Sequence, residues 1–254
     1  MMPEPVLLKL GGSVITDKRG ECAVNEKVLD AHAATLASAG FSGLLVHGAG
    51  SCGHPEARRY GLAQGADRSS REGIVVTHEA VASLNRAVVA SLRKAGVDAV
   101  GLHPLSSCTT ENGRIDTFAI EPLRLLMDLG CVPVLHGDVV LDRTRGACIV
   151  SGDQLISYLA PRIGLYRIGL ATDVPGVLAE GRVVPRITRA NFGDLEIGLS
   201  SNADVTGGMR GKVLELLELA DTGASSHIFA SKRLEDFLAL RPHGGTEIAR
   251  EEDA

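Results

Sequence analysis

Strand-length apolar runs that end in glycine, alternating with longer amphipathic stretches, constrain this chain more than any other feature. Val6–Leu10 runs into Gly11-Gly12, and Gly43–His47 runs into Gly48-Ala49-Gly50. Helical spacing covers 28–39, 71–95 and 120–129, and Gly40, Gly96 and Gly130 follow in turn. Glycine closes a helix readily because it enters the left-handed region without a Cβ clash. Further strands are predicted over 98–102, Val132–His136, 166–171 and 226–230, with a hairpin over 139–150 turning at Thr144-Arg145-Gly146. A late helix over 205–222 carries Met209, Val213, Leu216, Leu217 and Ala220 on one face. Such alternation predicts an α/β fold: a mostly parallel central sheet sandwiched by helices. Ligand-binding residues of such sheets gather at the carboxyl ends of strands, which is where the glycine clusters fall. No linker stands out, and a division is placed near 150–165.

With 44% hydrophobic residues among 254, the chain can bury a large core. Aromatics are only 3% and Trp is absent, so Leu, Val, Ile and Ala must fill it. The net charge is -5, and no basic block interleaves with aromatics. This argues against a nucleic-acid partner. Neither a signal peptide nor a run of 18 apolar residues occurs, so no membrane partner is expected and the protein is read as soluble and cytoplasmic. Five scattered cysteines, none spaced as CxxC, predict neither a zinc site nor a disulfide framework, and a reducing compartment suits them.

Four segments carry candidate chemistry. Lys9-Leu10-Gly11-Gly12-Ser13 sets a cation beside bare backbone that can reach an anion; its bland reading is a strand and a tight turn. His47-Gly48-Ala49-Gly50-Ser51-Cys52-Gly53-His54 contains G-x-G-x-x-G between a strand and a helix predicted over 55–60. It follows the second strand, and no acidic residue ends the next one, so a phosphate cradle fits better than a nicotinamide site. His54 is placed at the helix N-terminus, where it can donate to phosphate. Ser151-Gly152-Asp153-Gln154 has the form of a capping box, and capping alone explains Ser151. Asp153 can instead orient lysines, since it would repel a phosphate. In Asp204-Val205-Thr206-Gly207-Gly208-Met209-Arg210-Gly211-Lys212, two glycines in a first turn oppose helix formation and suggest close approach of phosphates. No Walker or protein-kinase signature is present.

Together with Thr172-Asp173-Val174-Pro175-Gly176-Val177, these segments resemble the amino-acid-kinase superfamily over about residues 6–248. Within it, LLKLGGSVITDK, VHGAGSCGHPEA, VPVLHGDVVLD, VSGDQL, DVTGGMRGK and a late GTEI are similar to isopentenyl phosphate kinases. The resemblance implies a single domain over 1–254, with an acceptor-binding lobe to about 160 and a nucleotide-binding lobe beyond. It implies ATP with Mg²⁺, an isoprenoid monophosphate acceptor and a homodimer. By motif, Lys9, Lys18, His54 and Lys212 would act on the reacting phosphates. Lys9, Gly11, Gly12, Ser13, Gly50, Asp173, Gly208 and Lys212 would line the nucleotide side. Ala49, Gly50, Gly53, His54, Gly152 and Asp153 would lie on the acceptor side. The helix over 74–89, with Val75, Val81, Leu84 and Val88, would wall the isoprenoid tail. Fosfomycin kinase shares the histidine; the Ser-Gly-Asp and Thr-Gly-Gly-Met stretches favour the isoprenoid reading over it. Cys52 stands where many relatives have Phe, and Pro175 where an acidic residue is usual.

Overall fold

The computed structural model describes residues 4–17, 22–197 and 208–251. The chain opens with β1 (Val6–Leu10), the short helix α1 (Gly12–Ile15), a hairpin of β2 (Thr16–Asp17) and β3 (Ala23–Val24), and α2 (Glu26–Ser38). Next come β4 (Gly43–His47), α3 (Gly50–Arg59), the long α4 (Arg71–Lys94), β5 (Ala99–Gly101) and α5 (Pro104–Ser107). Strands β6 (Cys108–Glu111) and β7 (Arg114–Phe118), helix α6 (Glu121–Asp128), β8 (Val132–His136), β9 (Asp138–Asp142), β10 (Gly146–Val150) and α7 (Gly152–Ile163) follow. The last part holds β11 (Arg167–Thr172), β12 (Leu178–Ala179), β13 (Arg182–Val183), β14 (Arg186–Ile187), α8 (Arg189–Phe192), α9 (Gly208–Ala220), β15 (Ser225–Ala230), α10 (Leu234–Leu238) and β16 (Thr246–Ile248).

Among the described residues the main sheet has eight strands in the order β14-β16-β15-β11-β1-β4-β8-β5. Its pairs are parallel apart from β15 with β16. Strand β1 is central, with β4 on one side and β11 on the other. All five residues of β1 are buried, and they alternate between two cores. Leu7 joins Leu155, Leu159, Val213 and Leu216 of α7 and α9. Leu8 and Leu10 join Leu29, Leu36, Leu84 and Val88 of α2 and α4. A strand covered on both faces reads as a continuous apolar run, which is why β1, β4 and β8 are legible from sequence. A smaller sheet, β10-β9-β6-β7, stands beside the main one. No helix among the described residues is long and apolar enough to cross a membrane.

The predicted α/β architecture is the one observed, and most element ends agree within two residues. Helix α2 starts earlier than expected because Asn25 caps it, its side chain accepting from the Val28 N–H. The late helix is described from Gly208; 205–207 of the expected span lie outside the described residues. Three expectations need correction. The glycine cluster after β4 is not a loop before a helix over 55–60: α3 begins at Gly50, so His54 lies within the helix and not at its N-terminus. The capping box at Ser151 is half made. Ser151 accepts from the Gln154 N–H, but the Gln154 amide donates to the Gly113 carbonyl on the small sheet. Finally, the cysteines do form a disulfide, between Cys22 and Cys52. Their sequence positions, thirty residues apart, give no sign that the β2–β3 hairpin folds back onto α3.

Candidate active site

The carboxyl ends of β1, β4, β8 and β11 open into a cavity of about 660 Å³. Chain order reverses direction across the sheet at β1, the place where open α/β sheets leave a crevice. Two glycine turns interlock at its floor. A Cβ on Gly12 would collide with the Gly50 backbone, and one on Gly48 would press on Gly12 N. Gly50 has φ +55, and a side chain there would strike Thr16 Oγ1 and the Gly12 carbonyl. The glycines are therefore required for backbone to pack on backbone, before any ligand is considered. Thr16 locks the arrangement: its Oγ1 donates to the Gly12 carbonyl at 2.8 Å and accepts from the Ser51 N–H at 3.1 Å.

Lys9 reaches the cavity from β1, Asp153 from the first turn of α7 and Lys212 from α9. Lys9 Nζ donates to Asp153 Oδ1 at 2.6 Å, and Lys212 Nζ donates to Asp153 Oδ2 at 2.7 Å. Lys9 and Asp153 are buried. Burial pushes Lys9 down to about 8; Asp153 opposes that shift and Lys212 adds to it. Burial would raise Asp153, but the two ammonium groups outweigh it and hold the carboxyl well below the usual carboxylate range. One carboxylate shared by two cations returns only part of what burial takes from each. Gly152 leaves room for Lys9 here, since a Cβ would stand 3.1 Å from Lys9 Cε.

The other expected site residues described by the structure line the same cavity. Gly11, Gly12, Ser13, Ala49, Gly50, Gly53 and His54 lie with Gly152, Asp173 and Gly208 along its wall. Lys18 and the stretch 204–207 lie outside the described residues. Of the four apolar residues expected to wall an isoprenoid tail, Val81 alone lines the cavity. Leu84 and Val88 are turned into the core against α2 and β1, and Val75 is exposed. The α4 face toward the cavity is one residue row round from the expected one, so Thr77 joins Val81 there.

Arg58, Thr77 and Asp138 also line the cavity and were missed in the sequence. Arg58 had a signal, four residues after His54 on the same helix face. Asp138 had none, because it belongs to a cluster drawn from four elements. His47 Nδ1 lies 3.1 Å from the Gly48 carbonyl, and His136 Nδ1 lies 3.0 Å from the Gly137 carbonyl. A carbonyl only accepts, so both rings carry their proton on Nδ1 and present Nε2 as an acceptor. The partners agree with these tautomers. Asn85 Nδ2 donates to His47 Nε2 at 3.1 Å, and His103 Nδ1 donates to His136 Nε2 at 2.8 Å. Burial lowers His47 to about 4 and His136 to about 3, so both stay neutral. His78 Nδ1 donates to Asp138 at 3.1 Å, and that hydrogen bond raises the His78 pKa. The histidines thus fix the carbonyls of two cavity-lining glycines, Gly48 and Gly137.

A buried carboxylate bridging two lysines, below interlocked glycine turns and beside a helix bearing histidine and arginine, defines an anion-handling site on an α/β sheet. Residues 4–230 match the model of the amino acid kinase family. The chain belongs to that family. Within it, the similarity runs to isopentenyl phosphate kinases. The enzyme of Haloferax volcanii is 41% identical over 237 residues, covering 92% of this chain and 94% of that protein. That of Methanothermobacter thermautotrophicus is 39% identical over 240 residues, covering 88% and 90%. A solved isopentenyl phosphate kinase structure superposes with a TM-score of 0.87 at 34% identity, over 97% of this chain and 100% of that one.

Proposed function

We propose that this protein transfers the terminal phosphate of ATP to isopentenyl phosphate, giving isopentenyl diphosphate and ADP. The observation that carries the reading is the gathering of Lys9, Lys212 and His54 in one cavity, with both lysines held by Asp153. The similarity to named isopentenyl phosphate kinases supports the choice of acceptor. Asp173, Gly208 and Lys212 fall on the nucleotide side, in a lobe beginning near residue 161. Ala49, Gly53, His54 and Gly152 fall on the acceptor side, in the lobe before it. Lys18 would stand by the transferred group on the strength of the resemblance.

Phosphoryl transfer needs alignment and charge neutralisation more than covalent help. A phosphate monoester has a second pKa of about 6, so its oxygen is already a nucleophile at neutral pH and needs no general base. The obstacle is repulsion between two anions, roughly 4 kcal/mol per unit pair at about 4 Å and an effective dielectric near 20. Lys9 and Lys212 offset it at fixed positions, because Asp153 holds both ammonium groups before substrate arrives. His54 donates to the acceptor phosphate and so holds its oxygen in line. Among the described residues no three His, Cys, Asp or Glu side chains gather to hold a metal ion, and both oxygens of Asp153 accept from the lysines. Mg²⁺ would add to this neutralisation of phosphate charge when bound. The reading includes a cytoplasmic place of work and a homodimer, the latter measurable by light scattering.

The test is ADP release with isopentenyl phosphate and, in parallel, with fosfomycin. His54→Ala should lower kcat/KM for isopentenyl phosphate by about a hundredfold while leaving ATP affinity within about twofold. Equal losses for both ligands, or turnover of fosfomycin in preference, would overturn the assignment.

A further inference from the structure

The disulfide between Cys22 and Cys52 has no part in the chemistry above, yet it is tied to the site through its neighbours. Cys52 lies in the first turn of α3, between Ser51 and Gly53, and two residues before His54. Cys22 leads into β3, whose pairing with β2 places Thr16 opposite Val24. Two fastenings of the first turn of α3 to the β2–β3 hairpin lie side by side among the described residues. One fastening is the Ser51 N–H donating to Thr16 Oγ1, and the other is the adjacent covalent bond. Cys22 has φ +50, a left-handed conformation that a non-glycine residue adopts only when its surroundings hold it there. Cys52 is buried in the core, whereas Cys22 is half-buried at its edge, which makes Cys22 the more accessible of the two to a thiolate. Disulfides in ATP-containing, reducing compartments are mostly transient or redox-sensing.

We propose that Cys22–Cys52 is a thiol–disulfide exchange site that sets the affinity of the α3 side of the cavity for the acceptor phosphate. This rests on the reading of α3 as the acceptor side. The co-reactant is a protein or small-molecule dithiol. Its thiolate attacks Cys22 Sγ, the S–S bond breaks, and its electron pair leaves on Cys52 Sγ, which takes a proton. The second thiol of the dithiol then attacks the mixed disulfide and releases Cys22 as a thiol. The protein bond gains two electrons and two protons, and the dithiol is oxidised to its own disulfide. Reduction removes the covalent tie between Cys22 and the first turn of α3, so that Gly53 and His54 are held against the hairpin by non-covalent contacts alone, Ser51 to Thr16 among them.

The experiment compares the full chain before and after dithiothreitol. Alkylation and mass mapping establish whether Cys22 and Cys52 are bonded or free. In the reduced form KM for isopentenyl phosphate should rise about tenfold, with KM for ATP unchanged, because a looser α3 must be ordered again when the acceptor phosphate binds. Cys22→Ser should match the reduced form and ignore dithiothreitol. An acceptor KM that stays constant while both thiols become alkylatable would overturn the proposal, as would equal changes for both substrates. Should neither form turn over isopentenyl phosphate, the proposed reaction fails. The redox site is then read from hydrogen exchange at α3 amides: faster exchange on reduction supports it, and unchanged exchange overturns it.

Discussion

Two polar clusters are buried at the carboxyl edge of the same sheet, and they meet the loss of water differently. Around Asp153, Lys9 and Lys212 remain ion-paired, with Lys9 lowered to about 8. Around His136, burial keeps the rings of His47 and His136 neutral, and hydrogen bonds run from Asn85 and His103 through them to backbone carbonyls. The first cluster lines the cavity itself. The second stands behind it and touches the cavity through Gly48, Gly137 and Asp138. Charge is kept where an anion can use it, and the rings of His47 and His136, which hold only the shape of a turn, stay neutral.

Substitution separates the two most sharply. Lys9→Ala should reduce kcat by about a hundredfold or more, the scale of losing a fixed charge at a developing anion, with the circular dichroism spectrum unchanged. Near-normal turnover would place Lys9 outside the reaction. His136→Leu should do the reverse. It leaves His103 Nδ1 without its acceptor, so unfolding in urea should show a loss of about 1–3 kcal/mol, while kcat falls less than about tenfold.

Alkaline pH gives the smaller and subtler contrast. A cationic Lys9 favours phosphate, so kcat/KM should fall as pH rises through about 8. Fold stability should move the opposite way in the same window. Between about 8 and the ordinary lysine value of 10.5 the unfolded chain holds a proton that the folded chain has lost, so stability rises with pH there. Thermal melts beside pH–rate profiles measure both. Parallel decline of rate and stability would break the distinction between the clusters.

Much of this was readable in the chain itself. Continuous apolar runs announced β1, β4 and β8, since strands buried on both faces need no polar side. Of the small sheet only β9 and β10 were legible, as a hairpin; β6 and β7 escaped notice because CTTE and RIDTF are short and half polar. Glycine pairs marked the cavity, though part of their reason proved internal: Gly12, Gly48 and Gly50 allow two turns to touch. The contact of Asp153 with the lysines was anticipated from charge, as an anion at a phosphate site needs a cationic partner. The α4 wall was misjudged by one row, because helical spacing tells which residues share a face but not which face meets the cavity.

Local order and the chemical kind of site were determined by the amino-acid sequence alone: apolar periodicity selects strand or helix, and lysines beside bare backbone suit phosphate. Only the tertiary structure decided which distant groups meet. The Cys22–Cys52 bond and the histidine chain join residues from separate elements, and their encounter depends on sheet order and register, which no local pattern encodes.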